Sequence, residues 1–353
     1  MPDFLVRRDD LRTTSVEDLD EPALQDGEAR LRVERFGFTA NNLTYGAFGE
    51  QMGYWRFFPA PDGWGRIPVW GFAEVTESNA DGIAAGTRYY GYLPMSSTAT
   101  MRPRASTGGF EDSAEHRAGL PATYNRYFEA TPEAGFAAEH DAATAVMRPL
   151  YMTGWLIAQH LRQGRGTVAL ASASSKTAYS AAYAIGQLED APAVIGLTSA
   201  RNADFVRSLG FYDTVLTYDE ADQLPRGEAL RFVDMAGDPE LRRAVHEHLG
   251  GDLGASIVVG ATHWDRASLA GGDPLPGPAP EFFFAPAVVE QLSAALGAAE
   301  FQRRIGSDWL AFLEPLGGIL EIEEDAGAEA TERVYRSFLD GTADPRRGHV
   351  LNL

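Results

Sequence analysis

Between about residue 25 and residue 100, short runs of β-branched, aromatic and aliphatic residues alternate with clusters of glycine, proline, asparagine and aspartate. The runs at 29–38, 69–76 and 87–93 predict strands, and together they predict a compact β-rich lobe. The stretch 54–64 places five aromatic side chains among two prolines and a glycine, a pattern too aromatic for a linker and too broken for a helix; it either lines a pocket or caps the core. Residues 102–118 are polar and predict a surface loop. Over 142–161 apolar residues recur at helical spacing, with an interruption predicted near Pro149. From Thr167 the text becomes strand–helix alternation: strands at 167–171, 193–198, 214–218, 231–235 and 255–261, with helices at 177–188, 203–209 and 239–249. A further strand at 282–285, a helix from 286 to about 301 and a closing strand at 349–353 complete the pattern. Strands apolar on both faces and joined by helices specify a parallel sheet covered on both sides.

The fold class is therefore α/β, with a Rossmann-like doubly wound domain following a β-rich one. A length of 353 residues suits two domains, and 44% hydrophobic residues give ample core, which excludes disordered and fibrous classes. Zero cysteines exclude disulfides, thiolate nucleophiles and cysteine-ligated metal. His246 and His248, two residues apart, point to different helix faces, and no other histidines cluster, so no metal site is expected. A net charge of −20 repels nucleic acid and anionic lipid, so an anionic ligand needs a local positive pocket. The amino terminus carries no signal-peptide run, and no apolar run reaches membrane-spanning length; a soluble, cytoplasmic protein is expected.

In a doubly wound sheet the first strand-to-helix loop offers amide N–H groups and a helix dipole to a pyrophosphate. Here it reads Ala171-Ser172-Ala173-Ser174-Ser175-Lys176-Thr177-Ala178, without the usual glycines. Ser174, Ser175 and Thr177 bring hydroxyls and Lys176 brings a charge suited to phosphate; the same residues also suit an ordinary N-capped helix start. The second strand ends in Thr198-Ser199-Ala200-Arg201-Asn202, with no acid to accept from the ribose hydroxyls of NAD. Ser199 and Arg201 suit a 2′-phosphate, which points to NADP(H), the alternative being a solvated arginine at a helix start.

Several stretches, in this order, resemble the medium-chain dehydrogenase/reductase superfamily, and within it the zinc-independent quinone oxidoreductase and enoyl reductase branch. They are the strand Arg32-Val33-Glu34-Arg35-Phe36-Gly37-Phe38 running into Thr39-Ala40-Asn41-Asn42, the glycine-centred Pro68-Val69-Trp70-Gly71-Phe72-Ala73-Glu74-Val75, and Gly86-Thr87-Arg88-Tyr89-Tyr90-Gly91. Leu150-Tyr151-Met152-Thr153-Gly154-Trp155, then Thr198-Ser199-Ala200-Arg201 and the segment from Ser208 to Tyr218, continue the series. Each motif is loose; their common order over nearly the whole chain is the signal. The resemblance implies a GroES-like catalytic domain at 1–145 plus 302–353, completed by the C-terminus, and a Rossmann-like dinucleotide domain at 146–301. It also implies a likeness to chains that pair as homodimers through the sheet edge of the cofactor domain. Where zinc-dependent relatives carry ligands, this chain has Asn42 and Phe72, so no zinc is expected.

By resemblance, Asn42 and Tyr45 lie in a turn at the floor of the cleft, Asn42 orienting substrate or ribose and Tyr45 donating to the substrate oxygen. Gly260 and Phe284 would flank the nicotinamide and its ribose, and Tyr218 would face the 2′-phosphate; each aromatic residue is equally at home in simple packing. Trp155 and the 54–64 aromatics would form an apolar substrate wall. Without metal, hydride transfer requires a small-molecule substrate already activated, a conjugated enone or enoyl compound or a quinone. The expected activity is an NADPH-dependent reduction of that kind. A carbonyl reductase and a non-catalytic NADP(H)-binding redox sensor are the alternatives.

Overall fold

Strand β3 (Ala29–Phe38) shows how the first half of the sequence selects its sheet. Ala29, Leu31 and Val33 point into the core, while Arg30 and Arg32 face outward onto Glu77 and Glu74 of the neighbouring strand, at 2.8 and 2.6 Å. The computed structural model describes residues 1–162, 164, 166–227, 229–259 and 274–353. They divide into two units, Met1–Pro149 with Leu320–Leu353, and Leu150–Ile319.

In the first unit the chain forms β1 (Pro2–Arg7), β2 (Thr14–Asp18), β3, helix α1 (Ala40–Ala47), β4 (Trp64–Gly65), β5 (Pro68–Ser78), β6 (Arg88–Pro94), β7 (Thr98–Met101), β8 (Pro103–Ser106), β9 (Gly109–Asp112) and β10 (Arg126–Glu129). Helix α2 (Asp141–Leu161) follows and carries the chain into the second unit. There β11 (Val168–Ala171), α3 (Lys176–Gly186), β12 (Val194–Thr198), α4 (Ala203–Ser208), β13 (Thr214–Thr217), β14 (Leu230–Asp234), α5 (Pro239–Leu249), β15 (Leu253–Val258), β16 (Glu281–Phe282), α6 (Ala285–Leu296) and α7 (Ala298–Leu316) alternate. The chain then returns to the first unit as β17 (Glu321–Ala326), α8 (Ala328–Leu339) and β18 (Arg347–Asn352).

The first unit holds a three-stranded sheet, β2-β1-β4, and a nine-stranded one, β17-β18-β3-β5-β6-β10-β9-β8 with β7 on β3. The C-terminal strand pairs antiparallel with β3, His349 opposite Phe38, so the end of the sequence completes the β-rich unit. The second unit is a six-stranded sheet in the order β13-β12-β11-β14-β15-β16, each neighbouring pair parallel, the doubly wound order with its switch between β11 and β14. Among the described residues no helix is long and apolar enough to cross a membrane.

Four expectations change. Residues 102–118 contain the hairpin β8–β9, closed around Thr107 and Gly108, rather than one loop. Asn41 to Tyr45 belong to helix α1, not to a turn. Pro149 does not interrupt α2; the Ala145 carbonyl that it leaves without a helical donor lies against Gly37, where any side chain would collide with it. The helix expected from 286 to 301 is two, divided at Gly297 (φ 84°), and α7 runs on to Leu316.

Candidate functional site

The loop after β11 begins with Ser172, which takes the left-handed conformation at φ 54° that a fingerprint glycine would otherwise supply. Three contacts hold it there. The Ser175 N–H donates to the Ser172 carbonyl at 2.7 Å, the Ala173 N–H donates to the Leu197 carbonyl of β12 at 2.9 Å, and the Tyr212 hydroxyl donates to the Ala173 carbonyl at 2.8 Å. Gly196 of β12 makes the fold-back possible, because a Cβ there would come within 2.9 Å of both Ala173 and the Tyr212 ring. Tyr218, in the turn after β13, also hydrogen-bonds to Ser172; burial pushes its phenol up to about 12, so it stays neutral as a brace. The position expected to meet a 2′-phosphate thus supports the loop.

Ser175 is the N-cap of α3, its Oγ accepting from the Ala178 N–H at 3.3 Å. Lys176 and Thr177 occupy the first turn, where the helix dipole is positive. Lys176 is the only lysine in the chain; the other 29 of its 30 basic residues are arginine. A buried first turn accommodates a compact ammonium on a flexible stem more readily than a planar guanidinium, and Lys176 is buried.

The second loop meets the first directly, since β11 and β12 are parallel neighbours with Ala171 opposite Leu197. The Asn202 amide donates to the Ser174 Oγ at 3.0 Å and ties the two loops together. At the end of β12 the Thr198 and Ser199 hydroxyls are buried with no hydrogen-bond partner, and Arg201 stands exposed beside them in the following turn. Two orphaned hydroxyls and a cation at this end of the sheet fit an incoming phosphate ester. Phe284 is the N-cap of α6, its ring stacked on Phe282 at 6.4 Å. Gly260 lies outside the described residues.

Sequence reasoning missed Asp234, at the switch point. It is fully buried at the end of β14, accepts from the Ala236 and Gly237 N–H groups at 3.0 and 2.9 Å, and pairs with Arg242 at 2.9 Å. Burial raises its pKa, against the pull of Arg242 and the amides. An acid closing an apolar strand before Ala-Gly was the available signal.

In the first unit, Asn42 and Tyr45 sit on successive turns of α1. Asn42 is buried and works as a cap: its Oδ1 accepts from the Thr39 N–H at 2.8 Å and the Thr39 hydroxyl at 3.1 Å, while its Nδ2 donates to the Pro68 carbonyl at 2.9 Å. Two of these hydrogen bonds cap the start of α1 and the third fixes it to β5. Tyr45 enters an aromatic cluster, its ring centre 4.7 Å from Tyr54, 5.5 Å from Tyr92 and 6.3 Å from Tyr124. Its hydroxyl accepts from the Trp70 indole at 3.4 Å and also bonds to Asn41 and Tyr124. Burial raises its pKa above the ordinary 10, as it does those of Tyr54, Tyr92 and Tyr124, so the cluster is a set of neutral phenols. Tyr54, Trp55, Phe57 and Phe58 thus pack the core of this unit, while Trp64 is half-buried beneath the Arg7 guanidinium. Trp155, in the second unit, is buried there, donating to Asp308 at 2.8 Å and packing on Phe301.

Solved structures share this fold. CurA of Vibrio vulnificus, determined with NADPH, is 16% identical, with a TM-score of 0.61 over 96% of this chain and 94% of its own. The yhdH oxidoreductase of Salmonella enterica, determined with NADP, is 14% identical, with a TM-score of 0.59 over the whole of both chains. A mutant enoyl thioester reductase of Candida tropicalis is 11% identical, with a TM-score of 0.58 over 100% and 99%. The fold is therefore the one these oxidoreductase and enoyl reductase structures have. No curated protein matches the sequence. The family model described as a protein of unknown function, DUF2855, matches residues 36–344, and the chain belongs to that family.

Proposed function

We propose that this chain is an NADPH-dependent, metal-independent reductase of an activated C=C bond, in an enone or enoyl compound, or of a quinone. The observation that carries the reading is the end of β12, where the orphaned Thr198 and Ser199 hydroxyls and Arg201 gather with no carboxylate from Ser199 to Asn202. Such a set would suit a 2′-phosphate and offers NAD no carboxylate to accept from both hydroxyls of its ribose. The solved structures bearing NADP or NADPH on the same fold support the choice of cofactor.

Bound NADPH would supply a hydride to the electrophilic carbon. Ser174, Ser175, Lys176 and Thr177 would hold the pyrophosphate at the start of α3, and Ser199 and Arg201 the 2′-phosphate. The electron pair of the C=C bond then moves toward the conjugated carbonyl, and the adjacent carbon needs a proton. Tyr45, neutral and linked to Tyr124, Asn41 and the Trp70 indole, is the proton donor in this proposal, and its hydroxyl would be resupplied through the phenol network. Asn42 acts by positioning: it sets the angle of the helix that carries Tyr45. By analogy with its fold, the chain would work as a homodimer paired along the β16 edge, where Phe282 is exposed.

Mixing the protein with NADPH and a panel of enones, enoyl thioesters, quinones and simple ketones, and following the near-ultraviolet absorbance of the cofactor, tests the reading. Oxidation with the conjugated compounds or quinones, and little with ketones, is expected. Binding of NADPH with no oxidation across the panel would contradict catalysis and favour the redox sensor; oxidation confined to ketones would make it a carbonyl reductase.

A further inference from the structure

Among the described residues, arginines that are largely buried are met by acceptors, and Arg148 differs from them. Arg117 meets Asp112 at 2.9 Å, Arg242 meets Asp234 at 2.9 Å, and Arg231 donates to the Leu161 and Gly166 carbonyls at 2.6 and 2.9 Å. Arg148, in the first unit, is half-buried and has no hydrogen bond and no carboxylate partner among the described residues. Its guanidinium instead lies over two rings that pack on each other 5.3 Å apart, 4.4 Å from the centre of Phe136 and 5.6 Å from that of Tyr90. The Tyr90 hydroxyl is buried and also lacks a partner, as does the Tyr92 hydroxyl on the same strand. Here a cation and the Tyr90 phenol share one neighbourhood, with no carboxylate against the cation among the described residues. Ring faces attract a guanidinium but do not engage its N–H groups as a carboxylate would, so the cation keeps capacity for a hydrogen-bonding anion.

The neighbourhood is continuous with the proposed proton donor. Trp70 stacks on Tyr90 at 5.8 Å, and its indole donates to the Tyr45 hydroxyl. Resting on the reading given under Proposed function, we infer that the Arg148 guanidinium, aided by the Tyr90 hydroxyl, receives a carboxylate carried by the substrate, so that the compound reduced is an unsaturated ketone or quinone bearing an acidic group. A guanidinium presents paired N–H groups that match the two oxygens of a carboxylate, and the surrounding rings keep water from competing for them. The side chain is only half-buried, so an incoming anion can reach it.

The test compares a matched pair, 4-oxopent-2-enoate and the uncharged pent-3-en-2-one, with wild type, Arg148→Met, Arg148→Lys and Tyr90→Phe. Turnover with NADPH and calorimetric binding of 4-oxopent-2-enoate are both measured. In wild type the acid should have a KM about tenfold or more below that of the neutral enone, the effect of one charged hydrogen-bonded pair. Arg148→Met should abolish that preference while leaving the KM for the neutral enone and the affinity for NADPH within about threefold. Arg148→Lys should keep part of the preference, and Tyr90→Phe should reduce it, which preserves the test if the methionine variant does not fold. Equal KM values in wild type, or a preference that survives Arg148→Met, would overturn the inference and leave Arg148 as a packing residue. If no compound is turned over, binding of 4-oxopent-2-enoate that Arg148→Met abolishes would still support the anion site while the reductase reading fails; no binding would overturn the site itself.

Discussion

Ser172 carries the geometry that the missing glycines would have provided, and a serine at φ 54° costs about 1–2 kcal/mol relative to ordinary backbone. Ser172→Gly is accordingly expected to stay within about 1 kcal/mol of wild type in urea denaturation, whereas Ser172→Val should lose about 2 kcal/mol or more. A tolerated valine would show that the loop relaxes to another conformation. Tyr45 leads to a second expectation. Because burial raises its pKa above 10, the phenol keeps its proton throughout the working range, so a rate limited by that proton should not decline toward pH 10. The pH profile of kcat checks this, and an alkaline decline centred about one or two units lower would exclude Tyr45 as donor. At this scale the sequence was informative about residue types and silent about partners. Serine, lysine and arginine at the two loops could be singled out as candidates because a phosphate ligand would call for those residue types. The left-handed Ser172, the cap formed by Asn42 and the packing of Arg148 over two rings were not, because each is defined by what folding brings beside it.

Gly154 lies where α2 crosses α3, and a Cβ on it would stand 2.6 Å from the Ala181 backbone nitrogen and 2.9 Å from the Ser180 side chain. The helix that opens on the candidate phosphate loop is therefore set by a glycine on the helix before it. Gly154→Ala is expected to cost about 1–3 kcal/mol, read as a lower denaturation midpoint, since the displaced backbone cannot yield as a side-chain tip would. An alanine with wild-type stability would contradict that close approach. The parallel strands and their helices could be read from the sequence because buried strands are apolar on both faces, and a helix such as α5 (Pro239–Leu249) announces itself with an Asp238 cap and a first-position proline. Helix α1 escaped because Thr39 and two asparagines serve turns and caps equally well. The hairpin β8–β9 escaped because its strands are four residues long and largely polar, so no period shows. Pro149 misled because the space at Gly37, over a hundred residues earlier, is what lets the helix continue.

At the scale of the whole molecule, the order of elements was the most legible feature: a β-rich unit, a six-stranded parallel sheet, and a return of the chain to the first sheet through β18. A net charge of −20 makes the rest of the surface unfavourable to a dinucleotide carrying several negative charges, so affinity has to come from local cations and helix ends. The central claim is that the end of β12 takes a 2′-phosphate, and calorimetric titration of wild type and Arg201→Ala with NADPH and NADH tests it most directly. NADPH should bind wild type more tightly than NADH, and Arg201→Ala should weaken NADPH by about 1.5–3 kcal/mol, the worth of a charged hydrogen bond, with NADH nearly unchanged. Equal weakening of both dinucleotides, or binding of neither to wild type, would contradict the account.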